Sequence, residues 1–585
     1  MDFKKFVNKY KYELIILFSI CVLYAINFSV NSWMFWEHPN SSYIDKWIYV
    51  GYFRYLGDFI HYFGLTPYYS GRISWIMPGY IINALFPALT AHYLLHLIML
   101  VCVALSLFYI VKILFDNQTA CITTLLMLFY PEFIKTIGSD YISSALITYM
   151  LLTLLALTIG AKFNHWKLSL IFGGIFCASM IYANMFAVIF LPFIFAFYII
   201  INRQYNKNPF SKSLLYFSLG SVLITCVFGI FLYLTSGQFD FISEQFSRLI
   251  FYSVVDSVYD IPILMWFGKA PYLILPISGF VGGCLFLTIN HLKKNTLPQI
   301  TKFLIVNFIC LFIVFFILQI KPNPAPVLQY SYYACYLIPF LFLALAAILS
   351  HFIKNIKERS VLLLSIIIIL FSTISFANFG LFSTITKYNF TIGEDFKFYL
   401  FGLIVIIVWV ILFASLTLKQ NNKRAIALFL ICIIVSTMCF YPAHPNQWLR
   451  VGSVDASNQY EVLSTGGNII HTKIPDGNVR FWYNRTDKYG GLYSGINSMY
   501  LYGYTLFSKE RFPNLTQNDI IRTMKKDKNM RIVIFSDRDD TMIAAQKTLN
   551  LYGYNITLLD CGTVEKENVK INYYITTIRN ASEQL

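Results

Sequence analysis

Thirteen mostly apolar stretches recur along this chain, at 14–32, 93–111, 118–134, 141–161, 168–182, 185–201, 213–235, 271–290, 303–320, 333–353, 361–378, 399–418 and 425–441. A helix crossing the hydrocarbon core of a bilayer needs about 20 such residues. A chain that offers this run so often is constrained to a bundle of membrane-spanning helices. Composition agrees, with 57% hydrophobic and only 13% charged residues over 585 positions. The first run, Leu14 to Phe28, follows Lys4, Lys5, Lys9 and Lys11. It is long for a signal-peptide core and no small-x-small cleavage pattern follows, so it reads as a retained first span.

One further apolar stretch, 74–90, is interrupted by Pro78, Gly79 and Pro87. If it does not cross, the turns bearing Lys112, Lys162 and Lys167, Arg203 to Lys212, Lys293 to Lys302, Lys354 to Arg359, and Lys419 to Arg424 share one side with the lysine-rich N-terminus. That is the distribution expected of cytoplasmic loops. The acidic or mixed loops 33–92, 131–140, 236–270, 321–332 and 379–398 then face outward. The sequence therefore predicts 13 spans, with 74–90 as a re-entrant or interfacial helix on the outer side. The formal charge of +16 is explained by this orientation bias, and nucleic acid is discarded as a partner. Of eleven cysteines only Cys561 lies outside the apolar runs, where cysteine behaves as a small hydrophobe.

After about residue 442 the composition becomes that of a soluble domain, giving the division 1–441 and 442–585. Val479–Asn484, Arg531–Ser536, Tyr554–Leu559 and Lys570–Ile578 read as strands. Thr516-x-x-Asp519 opens a helix to about Lys526, and Asp540–Tyr552 reads as another, stopped by Gly553. Alternating strands and helices predict a small α/β layer domain, placed outside by the parity of spans. It shows no Gly-rich phosphate loop and no metal-ligand spacing.

Polar residues gather in the first outer loop, where Tyr43, Asp45, Lys46, Trp47, Arg54, Asp58 and Arg72 lie among Trp33, Trp36 and Trp75. From Tyr43 to His61 the apolar positions Ile44, Ile48, Tyr55, Leu56 and Phe59 recur at helical spacing, which predicts an amphipathic helix at the interface. Its charges either serve a polar ligand or simply face water. A second polar spot, Glu132 and Lys135 followed by Asp140, sits where a span returns from outside, and Asp140 there reads equally as a helix cap.

A lysine-flanked first span, Tyr43-x-Asp45 on an outer helix, Arg72 with Pro78 in an apolar helix ending in Phe86-Pro87, two spans ending in Tyr130-Pro131, and Asp140 opening the next span together resemble the GT-C membrane glycosyltransferases. Within that class the order is similar to the branch of protein O-mannosyltransferases, lipid A aminoarabinose transferases and O-antigen glucosyltransferases. The resemblance covers the first 160 or so residues. It departs from the branch in having Asp45-Lys46 for the common Asp-Glu pair, and Arg72-Ile-Ser-Trp-Ile-Met-Pro78 where Lys-Pro-Pro is usual.

The resemblance implies a GT-C-like bundle with a C-terminal extracytoplasmic α/β domain in the cell inner membrane. It further implies transfer of a sugar, with inversion, from a polyprenyl-phosphate donor to a hydroxyl of a lipid-linked or envelope glycan on the outer face. Asp45 matches the family's general base and Asp140 its second acidic position. A lipid-phosphate leaving group needs cationic donors, for which Arg72 comes first, then Arg54, Lys135 and Arg248. Tyr43 and Trp47 are candidates to line the sugar, or belong to the aromatic belt. No metal is required, and a divalent cation between Asp45 and Asp140 is left open. The rival readings are a lipid-linked glycan transporter or flippase, a glycan polymerase, and a membrane scaffold with an outer sensor domain. The few charges within the spans and the absence of half-repeats argue against the transporter.

Overall fold

The structure is a computed structural model. It describes residues 3–26, 44–54, 56–57, 60, 69–138, 141–163, 166–205, 208–237, 239, 241–242, 271–320, 327–328, 331–353, 356–377, 454–475, 479–484, 487, 511–512, 515–518, 520–521, 531–567 and 569–580. The spans expected at 399–418 and 425–441 lie outside these residues, as do Tyr43, Asp140 and Arg248.

The chain divides into two compact units. The first comprises Met1–Val30, His96–Phe228 and Gln245–Arg450; the second comprises Asn31–Leu95, Gly229–Glu244 and Val451–Leu585. Among the described residues, eight helices are long and apolar enough to cross a membrane: Thr90–Leu114, Ile142–Lys162, Trp166–Ala183, Met185–Gln204, Phe210–Ser236, Ile274–Leu292, Gln299–Ile320 and Cys335–Ile353. Each coincides with a predicted span. The protein is thus a multi-pass α-helical membrane protein.

In chain order the helices that the argument needs are α1 (Phe3–Ile26), α2 (Ile44–Arg54), α3 (Ile73–Leu85), α4 (Ala88–Leu114), α5 (Asn117–Leu128), α6 (Pro131–Ile137), α7 (Ile142–Lys162), α8 (Trp166–Ala183), α9 (Leu191–Gln204) and α10 (Phe210–Ser236). The expected single span 118–134 is not found. It is two helices, α5 and α6, because Pro131 has no N–H to continue the helical ladder and pushes Tyr130 into an extended conformation with ψ 116°. At 1.5 Å per residue, the 12 residues of α5 rise about 18 Å, short of the roughly 30 Å hydrocarbon core. Asp116 caps its start, accepting from the Thr119 amide at 2.8 Å and the Thr119 hydroxyl at 2.8 Å.

In the first unit α7 and α8 form an antiparallel pair, and the centre is Ile338–Ile353, buried except at Ser350 and His351. Around Tyr336 the rings of Phe186, Phe190, Phe315 and Tyr333 pack at centroid distances of 5.3 to 6.3 Å. The Tyr336 hydroxyl, buried among them, accepts from Asn184 Nδ2 at 3.2 Å and pairs with Ser143 Oγ at 3.5 Å, so this polar atom is satisfied inside an apolar core.

The second unit contains a five-stranded sheet ordered β2-β1-β3-β5-β4, built from β1 (Val479–Asn484), β2 (Arg511–Phe512), β3 (Arg531–Ser536), β4 (Tyr554–Lys566) and β5 (Val569–Asn580). β2, β1 and β3 run parallel, and β5 pairs antiparallel with β3 and β4. All four predicted strands are present. β4 outruns its predicted end at Leu559, because a bulge between Leu558 and Asp560 restores its register with β5. Asp540–Tyr552 forms the helix Thr541–Asn550, and Gly553 ends it with φ +75°. Of the helix expected from Thr516, residues 517–518 and 520–521 are described and helical. A helix not expected from the sequence, Val454–Lys473, packs on β4 and β5; it is called α15 here, following α11 (Ile274–Leu292), α12 (Gln299–Ile320), α13 (Ile338–Ile353) and α14 (Glu358–Ala377).

Candidate functional site

Helix α2 has the sequence Ile-Asp-Lys-Trp-Ile-Tyr-Val-Gly-Tyr-Phe-Arg, rich in β-branched and aromatic residues with weak helix propensity. It is held instead by burial. Every residue from Ile48 to Phe53 is buried, and Tyr49 and Tyr52 are 0% exposed. This corrects the expectation of an amphipathic helix lying at an interface. Six consecutive buried positions cover all sides of a helix, so this half of α2 is enclosed rather than half-wetted. Arg54 in the last turn complements the negative end of the helix dipole.

The first turn of α2 carries the backbone of Asp45 and Trp47. Their side chains lie outside what is described, as does that of Lys135 on α6. Asp45 is placed one helical turn before Tyr49, so the two positions share a face.

Helix α3 packs against α2. Gly79 makes this close approach possible: a Cβ there would lie 2.3 Å from the Phe53 ring, which itself stands edge-on to Trp75 at 5.2 Å. α3 has 13 residues with Pro78 inside, a rise of about 20 Å, too short to cross the bilayer core. It stops at Phe86, and α4 begins at Ala88, so the apolar stretch 74–90 is one short helix and the start of another.

Arg72 is the N-cap residue of α3 and contributes no side-chain cap. A turn closed by Arg72 N to Tyr69 O at 3.1 Å leads into the helix. The Arg72 guanidinium donates from Nη1 to the Tyr49 hydroxyl and lies 5.8 Å from the centroid of the Tyr49 ring. Tyr69 packs edge-on against that ring at 5.7 Å. A guanidinium is thus fixed beside the N-terminal end of an apolar helix. A guanidinium and a helix N-terminus each suit an anion such as a phosphate.

Arg54 is engaged differently. Its Nη2 donates to Asn468 Oδ1 of α15 at 2.9 Å. Of the residues singled out from the sequence, the second unit therefore brings together the Asp45 and Trp47 backbone, Arg54 and Arg72 on two packed helices. Lys135 belongs to the first unit, where Glu132, in the same short helix, is buried at 2% exposure. Sequence reasoning missed Tyr49, although its spacing from Asp45 was visible, and Asn468, whose partner is 414 positions away. Among the described residues no three His, Cys, Asp or Glu side chains gather as a metal site; the Asp45 and Asp140 side chains are not among those residues.

Residues 75–233 match the family model described as dolichyl-phosphate-mannose-protein mannosyltransferase. Among solved structures, the chain is similar to ArnT from Cupriavidus metallidurans bound to undecaprenyl phosphate, at 12% identity over 96% of this chain and 97% of that one, with a TM-score of 0.46. It is also similar to the oligosaccharyltransferase AglB from Archaeoglobus fulgidus in complex with an inhibitory peptide and a dolichol-phosphate, at 13% identity over 90% of this chain and 69% of that one, with a TM-score of 0.43. No curated protein sequence matches the chain.

Proposed function

We propose that this multi-pass membrane chain, whose residues 75–233 match the dolichyl-phosphate-mannose-protein mannosyltransferase model, is a GT-C-type glycosyltransferase that moves a sugar from a polyprenyl-phosphate donor to a hydroxyl of a cell-envelope glycan such as O-antigen or lipid A. The single observation that carries this reading is Arg72, held by Tyr49 at the N-terminal end of α3, on a helix pair that also bears Asp45.

The chemistry follows from what the bond change needs. A neutral hydroxyl attacks the anomeric carbon on the face opposite the leaving group, which gives inversion. Asp45 takes the hydroxyl proton as the new C–O bond forms. The bond from the anomeric carbon to the phosphate oxygen breaks, and negative charge grows on the lipid phosphate. Arg72 and the N-terminal peptide dipoles of α3 stabilise that charge. Lys135 and Arg248 are further cationic candidates for the donor. Asp140 positions the acceptor, and Tyr43 and Trp47 line the sugar. No step requires a metal. The lysine-flanked first span, which leaves the Asp45 loop outside, supports a site on the outer face of the inner membrane, with the C-terminal domain, which shares a compact unit with α2, on that side.

The test is sugar consumption from a panel of polyprenyl-phosphate sugars in membranes, comparing the native chain with Asp45→Asn. Loss of transfer at normal accumulation is the expected result. Equal activity of the variant removes Asp45 from the mechanism, and a native chain that consumes no donor moves the rival transporter reading to the front.

A further inference from the structure

We propose that Arg54 is a positioning residue that ties helix α2, through Asn468, to the C-terminal sheet, so that the sheet domain sets the placement of the Asp45 turn. The inference rests on the assignment of Asp45 given above and goes beyond it, because it makes the C-terminal domain part of the transfer machinery.

The argument begins with how firmly α15 is attached to the sheet. Glu461, in its first half, pairs with Lys566 of β4 at 3.2 Å. At Gly466 the helix lies so close to β3 that a Cβ would stand 3.1 Å from the Phe535 ring. Lys473, in its last turn, pairs with Asp560 of β4 and donates to the Tyr573 hydroxyl of β5 at 3.0 Å. Three strands thus hold one helix along its length. A displacement of the sheet must carry α15 with it.

From this helix Asn468 reaches Arg54. Arg54 is nine positions after Asp45 on α2, and the buried run Ile48–Phe53 between them packs against α3. A short, enclosed helix moves as a rigid rod rather than bending. A link at its C-terminal end therefore governs where its first turn stands. Arg54 reaches Asn468 of the sheet-bound helix α15 whereas Arg72 reaches Tyr49 of α2, which separates their roles.

The experiment compares Arg54→Met, Asn468→Leu, the double variant, and the exchange of Arg54→Asn with Asn468→Arg, all in the full chain in native vesicles. Loss of one hydrogen bond to a charged group predicts a fall in kcat of about three- to tenfold for each single variant, with the donor KM held within about twofold. The double variant is expected to be no worse than either single, and the exchange to recover at least about half of the native rate. A merely structural role would not give that recovery. The inference is overturned if Arg54→Met raises the donor KM while Asn468→Leu does not, which would make Arg54 a phosphate contact, or if the double variant is additive or the exchange recovers nothing. Proteolytic release of the C-terminal fragment is followed in the same vesicles. If no polyprenyl-phosphate sugar is consumed even by the native chain, the glycosyltransferase reading fails by itself. The link is then decided by proteolysis: faster release in both singles and native release in the exchange sustain it, and unchanged release in the singles sinks it.

Discussion

The Tyr49 hydroxyl accepts a hydrogen bond from the Arg72 guanidinium while the ring of the same tyrosine lies under that guanidinium, 5.8 Å from its centroid. Two contacts of different kinds therefore fix one cation. Tyr49→Phe keeps the ring and removes only the acceptor. It is expected to lower kcat/KM for the donor about three- to tenfold, with a stability loss of no more than about 1.5 kcal/mol. Arg72→Ala, which in the proposed mechanism removes the charge that stabilises the leaving group, should cost about a hundredfold or more. Steady-state transfer in vesicles reads both. If Arg72→Ala transfers as fast as the native chain, the phosphate role assigned to it is wrong.

The fit of Gly79 against Phe53 predicts intolerance on α3. Gly79→Ala places a methyl group 2.3 Å from the Phe53 ring and should destabilise the α2–α3 pair by about 1–3 kcal/mol. Adding Phe53→Leu opens room for the new methyl and should return part of the loss. Thermal unfolding in detergent measures the series. An Ala variant as stable as the native chain would show that the ring turns aside at no cost.

A harder limit is set between α8 and α10. A Cβ at Gly174 would lie 1.8 Å from the Phe217 carbonyl oxygen, and one at Gly220 would lie 1.9 Å from that of Ile171. Backbone cannot rotate away as a side chain can, so Ala at either position must separate the helices. The expected loss exceeds the roughly 1–3 kcal/mol typical of an overpacked core, and is seen as failure to accumulate folded protein. Gly237 is the control. It has φ +73° and nothing within 4 Å of its missing Cβ, so Gly237→Ala bears only the backbone strain of about 1–2 kcal/mol.

Asp487, beyond the end of β1, has a carboxyl group pushed up to about 7, first by burial, then by the nearby negative charges of Asp537 and Asp540, against the opposing pull of Ser536 and Arg538. Because the folded form holds the proton more tightly than the unfolded one, the stabilisation is complete below about pH 4 and is lost as the pH rises to about 7. Asp487→Asn should abolish that dependence and stabilise the sheet domain at pH 8 by about 1–2 kcal/mol, a figure discounted for the partial exposure of the group. The check is the rate of proteolysis within 454–580 of the full chain between pH 4 and pH 8. A native profile that is flat across this range would contradict the assignment.

What the sequence could tell depended on how local each signal is. Eight spans stood where apolar runs of helical length placed them, because a helix in lipid satisfies its own backbone. β1 and β3 were legible from β-branched and aromatic runs. The run 118–134 misled because its hydropathy is continuous while Pro131 breaks its geometry. α2 was misread for the opposite reason: Lys46, Arg54 and Asp58 suggested a wet face, whereas Ile48 to Phe53 are buried by tertiary packing, α3 included, that helical periodicity does not report. Arg54 and Asn468 show the same limit, since no local pattern announces a partner 414 positions away. The sequence singled out Asp45 and Arg72, but nothing in their spacing announced Tyr49 as the residue that meets the Arg72 guanidinium.

In the sheet order β2-β1-β3-β5-β4, the strand synthesised last of the five, β5, is not at an edge but lies between β3 and β4. Both neighbours must wait for it. Until residues 569–580 leave the ribosome, β3 has an open flank and β4 has no partner among the described strands, so the sheet cannot close progressively from its N-terminal side as it emerges. Completion of the sheet is therefore timed by the arrival of one strand.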